Sequence, residues 1–330
     1  MRRLIQMATK NLVLAIPAFM AAGMAAGLSF DARPLKVLII PFTFLMVYPM
    51  MVTLRPAEVL RGGDLKAQVL TQLLNFGVIP FLAFGLGRAF FPENPYLALG
   101  LLLAGLVPTS GMTISWTGFA KGNLAAAVKM TVIGLVLGSL ATPVYVQGLL
   151  GAEIPVDLAA VFKQIGLIVF LPMAVGQLTR KLLVGRYGAA EFKQRIAPKF
   201  PALATLGVLG IVFIAMALKA RSIAAHPEML ASILGPLSFL YGFNYLLSTL
   251  LGRLLLPRGD AVAMVYGSVM RNLSIALAIA MNAFGPQGSD AALVIALAYV
   301  LQVQSAAWYV KFSDRVLGPP ESESAAVESA

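Results

Sequence analysis

The chain of 330 residues contains no cysteine and a single histidine, His226. Disulfides, thiolate metal ligands and thiol nucleophiles are thereby excluded, and so is a histidine-rich metal centre. Charge is scarce as well. Asp, Glu, Lys and Arg together make 12% of the residues, where an ordinary soluble domain carries about 25%. A soluble globular enzyme does not fit that composition. The charge that exists leans one way: 25 Lys and Arg stand against 14 Asp and Glu, a formal net charge of +11. Such an excess can mark a nucleic-acid binder. Here the basic residues lie between apolar stretches, where loop charges set the orientation of membrane segments. No nucleic-acid partner and no cofactor or resident metal are expected; the expected partners are the lipid bilayer and a small molecule.

What the sequence has in abundance is apolar length. Hydrophobic residues make up 59% and the mean hydropathy is +0.85. A bilayer-spanning helix needs about 20 largely apolar residues. Runs of that kind fall at 11–30, 35–54, 67–91, 95–119, 124–150, 155–178, 202–219, 229–256, 261–284 and 289–312. The start, Met1 to Lys10, is charged and then apolar like a leader, but the run that follows is long enough to span and reads as the first helix. Turn and charge clusters separate the runs, among them Arg61-Gly62-Gly63-Asp64, Lys121-Gly122-Asn123 and Gly285-Pro286-Gln287-Gly288. With the N-terminus inside, the inner segments hold 17 Lys and Arg and the outer loops 5, which places both termini in the cytoplasm. The expected location is a prokaryotic inner membrane.

The longest polar connection, 179–201, carries six basic residues and divides the chain near its middle. The predicted organisation is an all-α membrane protein of ten transmembrane helices: a first five-helix unit over 1–178, a basic cytoplasmic linker over 179–201, a second unit over 202–317, and a disordered Ser/Glu/Ala-rich tail over 318–330. Five spans per unit turn the second unit upside down relative to the first, the inverted-repeat plan of many secondary transporters. In such folds the binding site forms where helices break at the midplane and free their backbone groups. Two segments look broken. The fourth run holds Pro108, Thr109, Ser110, Gly111 and Thr113; the ninth holds Gly267, Ser268, Arg271, Asn272 and Ser274. They occupy equivalent positions in the two halves, so broken helices 4 and 9 should cross.

Arg271 lies about eleven residues into its run, near mid-membrane at ~1.5 Å per residue. An arginine facing lipid there costs roughly 2.5–3.5 kcal/mol on insertion scales, so it must face the interior or a watery cavity. It either binds an anion or holds backbone carbonyls at the break. Lys129, about seven residues from the inner end of its run, either joins the site or snorkels outward. Asn75, Asn244, Asn272, Gln302 and Gln304 are amides within runs, each able to bind substrate or to bridge two helices. No carboxylate stands near the middle of a run to carry a proton or hold sodium. Paired carboxylates, a Ser–His pair and a His-rich metal motif are missing from the spans, which argues against an intramembrane enzyme. A receptor would be supported by a long soluble signalling domain, which this sequence does not contain.

These residues resemble the bile acid:sodium symporter superfamily, and within it the Acr-type arsenite permeases. The likeness runs along nearly the whole chain: Tyr48-Pro49-Met50-Met51, Asn75-Phe76-Gly77-Val78-Ile79-Pro80, Val107-Pro108-Thr109 through Trp116 with Lys121-Gly122-Asn123, and Arg271-Asn272-Leu273-Ser274-Ile275-Ala276. The resemblance implies ten helices arranged as a panel and a core, with crossed broken helices in the core. The departures are equally specific. Thr109 stands where the arsenite permeases carry a cysteine, Ser274 where they carry a glutamate, and Gln302 in place of a further glutamate. A trivalent metalloid seeks a soft thiolate and proton exchange needs a titratable acid. Against the sodium-coupled members, Asn75, Thr113 and Thr131 keep polar groups, while Gly267 replaces a glutamate, Ile114 an asparagine and Ala127 a serine; Arg271 takes the place of a sodium-binding glutamine. The reading is a carrier of a small organic anion in which Lys129 and Arg271 substitute for two sodium ions. Its substrate residues are Asn75, Thr109, Ser110, Thr113, Arg271, Asn272 and Ser274, with Lys129, Thr131, Arg271 and Gln302 standing in for the ion sites. A metalloid or oxyanion efflux permease is the alternative.

Overall fold

The computed structural model describes residues 12–54, 64–154 and 158–320. The start of the chain, the Arg61-Gly62-Gly63 part of the first inner turn and residues 321–330 lie outside them. Helices dominate, and no strand occurs among the described residues. The helices are α1 (Leu12–Ser29), α2 (Ile39–Thr53), α3 (Leu65–Gly77), α4 (Ile79–Phe90), α5 (Pro95–Leu106), α6 (Gly111–Phe119) and α7 (Leu124–Leu150). They continue with α8 (Leu158–Ile165), α9 (Leu171–Tyr187), α10 (Phe200–Ala225), α11 (Glu228–Leu255), α12 (Arg258–Val269), α13 (Leu273–Ala283) and α14 (Gly288–Leu317). Among the described residues eight helical stretches are long and apolar enough to cross a bilayer, nine if the bent pair α5–α6 counts as one, with the shorter apolar helix Leu14–Ser29 in addition.

Prolines explain most of the interruptions. Pro80 has no N–H to donate, and α3 gives way to α4 at Val78. Pro172 follows a π-turn at Gly166–Phe170 that joins α8 to α9. Pro108 separates α5 from α6, which meet at 57°. The polar connection expected over 179–201 is shorter than its composition suggests. Arg180, Lys181 and Arg186 are good helix formers, and α9 carries them on to Tyr187, ending where Gly188 adopts φ +82°. The tail expected from residue 318 is anchored at its start: Arg258 Nε donates to the carbonyl of Gly318, its Nη1 and Nη2 to those of Lys121 and Ala120, and it pairs with Asp314.

Two sets of helices pack closely and meet through α13 and α14, which also touch α1, α2 and α10. In one, α10 lies between α1 and α2, and α9 packs on α2. Glycine allows the close approach. A β-carbon at Gly23 or Gly27 of α1 would overlap the carbonyl oxygens of Phe213 and Ala217 on α10, and one at Gly207 of α10 would overlap the backbone of Met46. We expect Gly27→Val to force α1 off α10 and to lower stability by about 2 kcal/mol or more, read as a fall in the unfolding midpoint of the detergent-purified protein. In the other group α12, α13 and α14 pack with α3, α5, α7 and α11. Residues 261–281 are buried without exception. Outward faces are apolar at helical spacing, as with Leu246, Leu250 and Leu254 of α11, a surface suited to acyl chains rather than water.

Candidate functional site

The two helix breaks meet. Asn272 N–H donates to the carbonyl of Val107 at 2.8 Å, tying the α12–α13 break to the α5–α6 break. Each break then caps its own next helix. Ser110 Oγ accepts from Met112 N–H, while Ser110 N–H donates to Thr113 Oγ1, a reciprocal cap on α6. The Asn272 carboxamide oxygen accepts from Ile275 N–H at the start of α13. Freed donors and acceptors at both breaks are thus largely satisfied by the hydroxyls and amides that the sequence places there.

Thr109 belongs to this scaffolding. It adopts φ +59°, a conformation unfavourable for a β-branched residue. Its hydroxyl donates toward the carbonyls of Pro108, Met130 and Thr131 at 2.7, 3.2 and 3.3 Å. Gly134 leaves the room; a β-carbon there would overlap Thr109 Oγ1. The hydroxyl expected to meet substrate is turned into α7. Thr131 donates to the carbonyls of Ala127 and Ser110, and Thr113 to that of Tyr266. Ser274 shares a hydrogen bond with the Tyr299 hydroxyl. Asn75 Nδ2 donates to Gly267 O, while Asn244 Nδ2 donates to the adjacent Ser268 O, so two flanking helices grip α12.

Lys129 neither snorkels nor stands as a bare cation in the site. Its Nζ lies 2.9 Å from Asp64 Oδ1, with side chains 5% and 6% exposed. The Lys129 charge, expected to stand in for a sodium ion, is paired with a carboxylate at the start of α3. A lysine this buried requires a counter-charge, and Asp64 sits at the same end of a neighbouring helix; that was the available signal. Gly267 packs against Met130 Sδ and Thr71, and a β-carbon there would come within 2.7 Å of the sulfur. A longer side chain at 267 has no space without displacing Met130.

Arg271 is different. The residue is 2% exposed. Its peptide group is clamped by Gln302, whose Oε1 accepts Arg271 N–H at 2.9 Å and whose Nε2 donates to Arg271 O at 3.1 Å. The Tyr241 hydroxyl donates to the same Oε1 at 3.0 Å. Gln302 therefore holds the backbone at the break. Among the described residues Arg271 Nη1 and Nη2 find no acceptor, and Asn75 Oδ1 no donor. Of the candidate residues, these two keep buried side-chain atoms unmatched. Tyr241 and Tyr299, which lock Gln302 and Ser274, were hidden in the sequence because aromatic residues in apolar helices read as packing. Groups of three or more His, Cys, Asp or Glu able to hold a metal are absent among the described residues.

Residues 40–226 match the model of the Sodium Bile acid symporter family. The Arsenical-resistance protein Acr3 of Alkaliphilus metalliredigens is 26% identical over 288 residues, covering 82% of this chain and 80% of the relative. The sodium-dependent transporter YocS of Bacillus subtilis, described as uncharacterized, is 27% identical over 222 residues, 66% of this chain and 65% of its own. Sodium/bile acid cotransporter 7 of Danio rerio is 30% identical over 167 residues, 46% of this chain and 48% of its own. With the apolar helices, these likenesses make the protein a multi-pass membrane transporter. The chain belongs to the sodium bile acid symporter family.

Proposed function

We propose that the protein is a secondary transporter that moves a small organic anion by alternating access and does so without sodium. One observation carries this reading: Arg271, a buried residue at one of the two meeting breaks, finds no acceptor for either terminal nitrogen among the described residues. An arginine fork in a desolvated site suits an anionic oxygen pair. The substrate set is Arg271 first, then Asn75, Asn272 and Ser274; Thr109, Ser110, Thr113, Thr131 and Gln302 act by holding the breaks. Against sodium, Arg271 is itself a fixed cation at the break, and position 267 carries no carboxylate.

In this reading α1 to α14 form ten spans, two inverted five-helix repeats with both termini in the cytoplasm of a prokaryotic cell. The panel is α1, α2, α8, α9 and α10, and the core comprises the other helices. Among the described residues two polar contacts join them: Lys219 of α10 to Asp290 of α14 at 2.7 Å, and Asn282 Nδ2 of α13 to Thr43 Oγ1 of α2 at 3.2 Å. Rocking of the core against the panel breaks and remakes contacts of this kind. The names of the arsenical-resistance relatives favour metalloid efflux as a second reading. The lack of any cysteine weighs against it.

The test is thermal stabilisation of the purified protein by bile salts, short keto and hydroxy acids, arsenite and antimonite, each in sodium and in potassium buffer. A specific ligand at a hundred times its Kd adds about 2.7 kcal/mol. We expect an organic anion to stabilise equally in both salts and Arg271→Ala to remove the effect. Stabilisation by sodium alone, or by arsenite alone, overturns the proposal.

A further inference from the structure

We infer that this protein is an exchanger of small monovalent carboxylates, whose core crosses between the two faces when Arg271 carries an anion and stalls when it does not. The inference rests on the anion-carrier reading of Arg271 and concerns what that lone charge does to the transport cycle.

Among the described residues, two with cationic side chains are buried, Lys129 and Arg271. Lys129 is matched by Asp64, itself enclosed. Arg271 is not matched. The groups that grip its peptide, Gln302 and behind it Tyr241, are neutral at physiological pH, and their polar atoms are engaged with each other and with the backbone. An arginine side chain stays protonated inside proteins. Among the described residues nothing compensates that positive charge.

In an alternating-access cycle the site is wetted from one face, then closed, then wetted from the other. Water hydrates the guanidinium in the two open stages. In the closed stage a bare cation loses that hydration and finds no acceptor on the protein, a large penalty for a buried charge. A carboxylate removes it. Its two coplanar oxygens match Nη1 and Nη2 as a fork, and its single negative charge makes the closed centre neutral. Loaded cores cross readily and empty cores do not, which is the condition for exchange of one anion for another. A dicarboxylate exchanges an unpaired positive charge for an unpaired negative one and gains little. Mono- over dicarboxylate selectivity thus follows from the same count.

The experiment uses the purified full chain in liposomes. Acetate, pyruvate and benzoate are compared with succinate and sulfate, first for thermal stabilisation of the wild type. The monocarboxylate with the largest effect is then loaded in labelled form, and its efflux is followed with and without the same unlabelled anion outside. Potassium and valinomycin hold the potential at zero, so that charge build-up does not mimic stalling. We expect the outside anion to speed efflux by on the order of a hundredfold, the kinetic equivalent of an unpaired buried charge, and outside succinate to leave it near the basal rate. Net efflux as fast as exchange overturns the exchange mechanism and leaves the anion site standing. Acceleration by succinate equal to that by the monocarboxylate overturns the charge-matching argument. Absence of stabilisation by any monocarboxylate overturns the anion reading itself. All of these outcomes are read on the wild type and need no variant to fold.

Discussion

Replacing Asp64 by asparagine is expected to cost about 3–5 kcal/mol of stability, the usual consequence of removing one partner from a buried ion pair. Asp64 and Lys129 join the start of α3 to α7 with side chains almost wholly enclosed. Asn keeps a side-chain oxygen and tolerates the left-handed backbone that Asp64 adopts, φ +53°. The substitution therefore tests charge and not conformation. The companion variant is Asp64→Asn combined with Lys129→Met, which removes both charges and fills the space with an apolar chain. Exchange of a whole buried pair for apolar packing is often neutral or stabilising, so the double variant should recover most of the loss. Unfolding midpoints of the three proteins in one detergent decide it. A single variant as stable as the wild type would show that the pair does not hold α3 to α7. A double variant that keeps anion-dependent stabilisation would confirm that Lys129 lies outside the binding centre; its loss would return Lys129 to the site.

The pair illustrates what the sequence discloses and what it withholds. Apolar runs of about twenty residues are read directly, because the bilayer's thickness fixes the length of a helix that crosses it. The breaks are read from Pro108 and Gly111 and from an arginine in mid-run, since each conflicts locally with a continuous lipid-facing helix. Side-chain direction is not read this way. Thr109 turns its hydroxyl into α7 because Gly134, twenty-five positions on, lacks a β-carbon. Asp64 looks like a turn residue until α7 brings Lys129 beside it. Helical continuation past residue 178 was masked for another reason. Hydropathy reports the membrane boundary, whereas Arg180, Lys181 and Arg186 extend α9 beyond it at little cost. Composition identifies the elements, and long-range contacts decide which polar groups remain available for chemistry.

Availability is what Gln302→Glu is expected to remove. In the wild type the carboxamide accepts from Arg271 N–H and from Tyr241 O–H, and donates to Arg271 O. An ionised carboxylate keeps the two acceptor roles but has no proton for the carbonyl at 3.1 Å, which it repels. It also places a negative charge next to the residue whose charge attracts the substrate. The guanidinium then pairs within the protein, and an incoming anion must compete with a tethered one. Loss of a desolvated charge-pair interaction costs about 2–5 kcal/mol, a rise in Kd of roughly thirtyfold or more. The effect has a sign with pH. Once protonated, the introduced carboxyl again donates to the carbonyl and releases Arg271, so anion binding by this variant should rise as the pH falls through its titration. The wild-type amide gives no such step. Titration of anion-dependent stabilisation against pH for both proteins makes the comparison. A variant that binds like the wild type at every pH would mean that Arg271 points away from position 302 and that its charge is not what draws the anion. A variant that loses binding at every pH, with its fold intact, would mean that the clamp on the Arg271 peptide matters more than the charge.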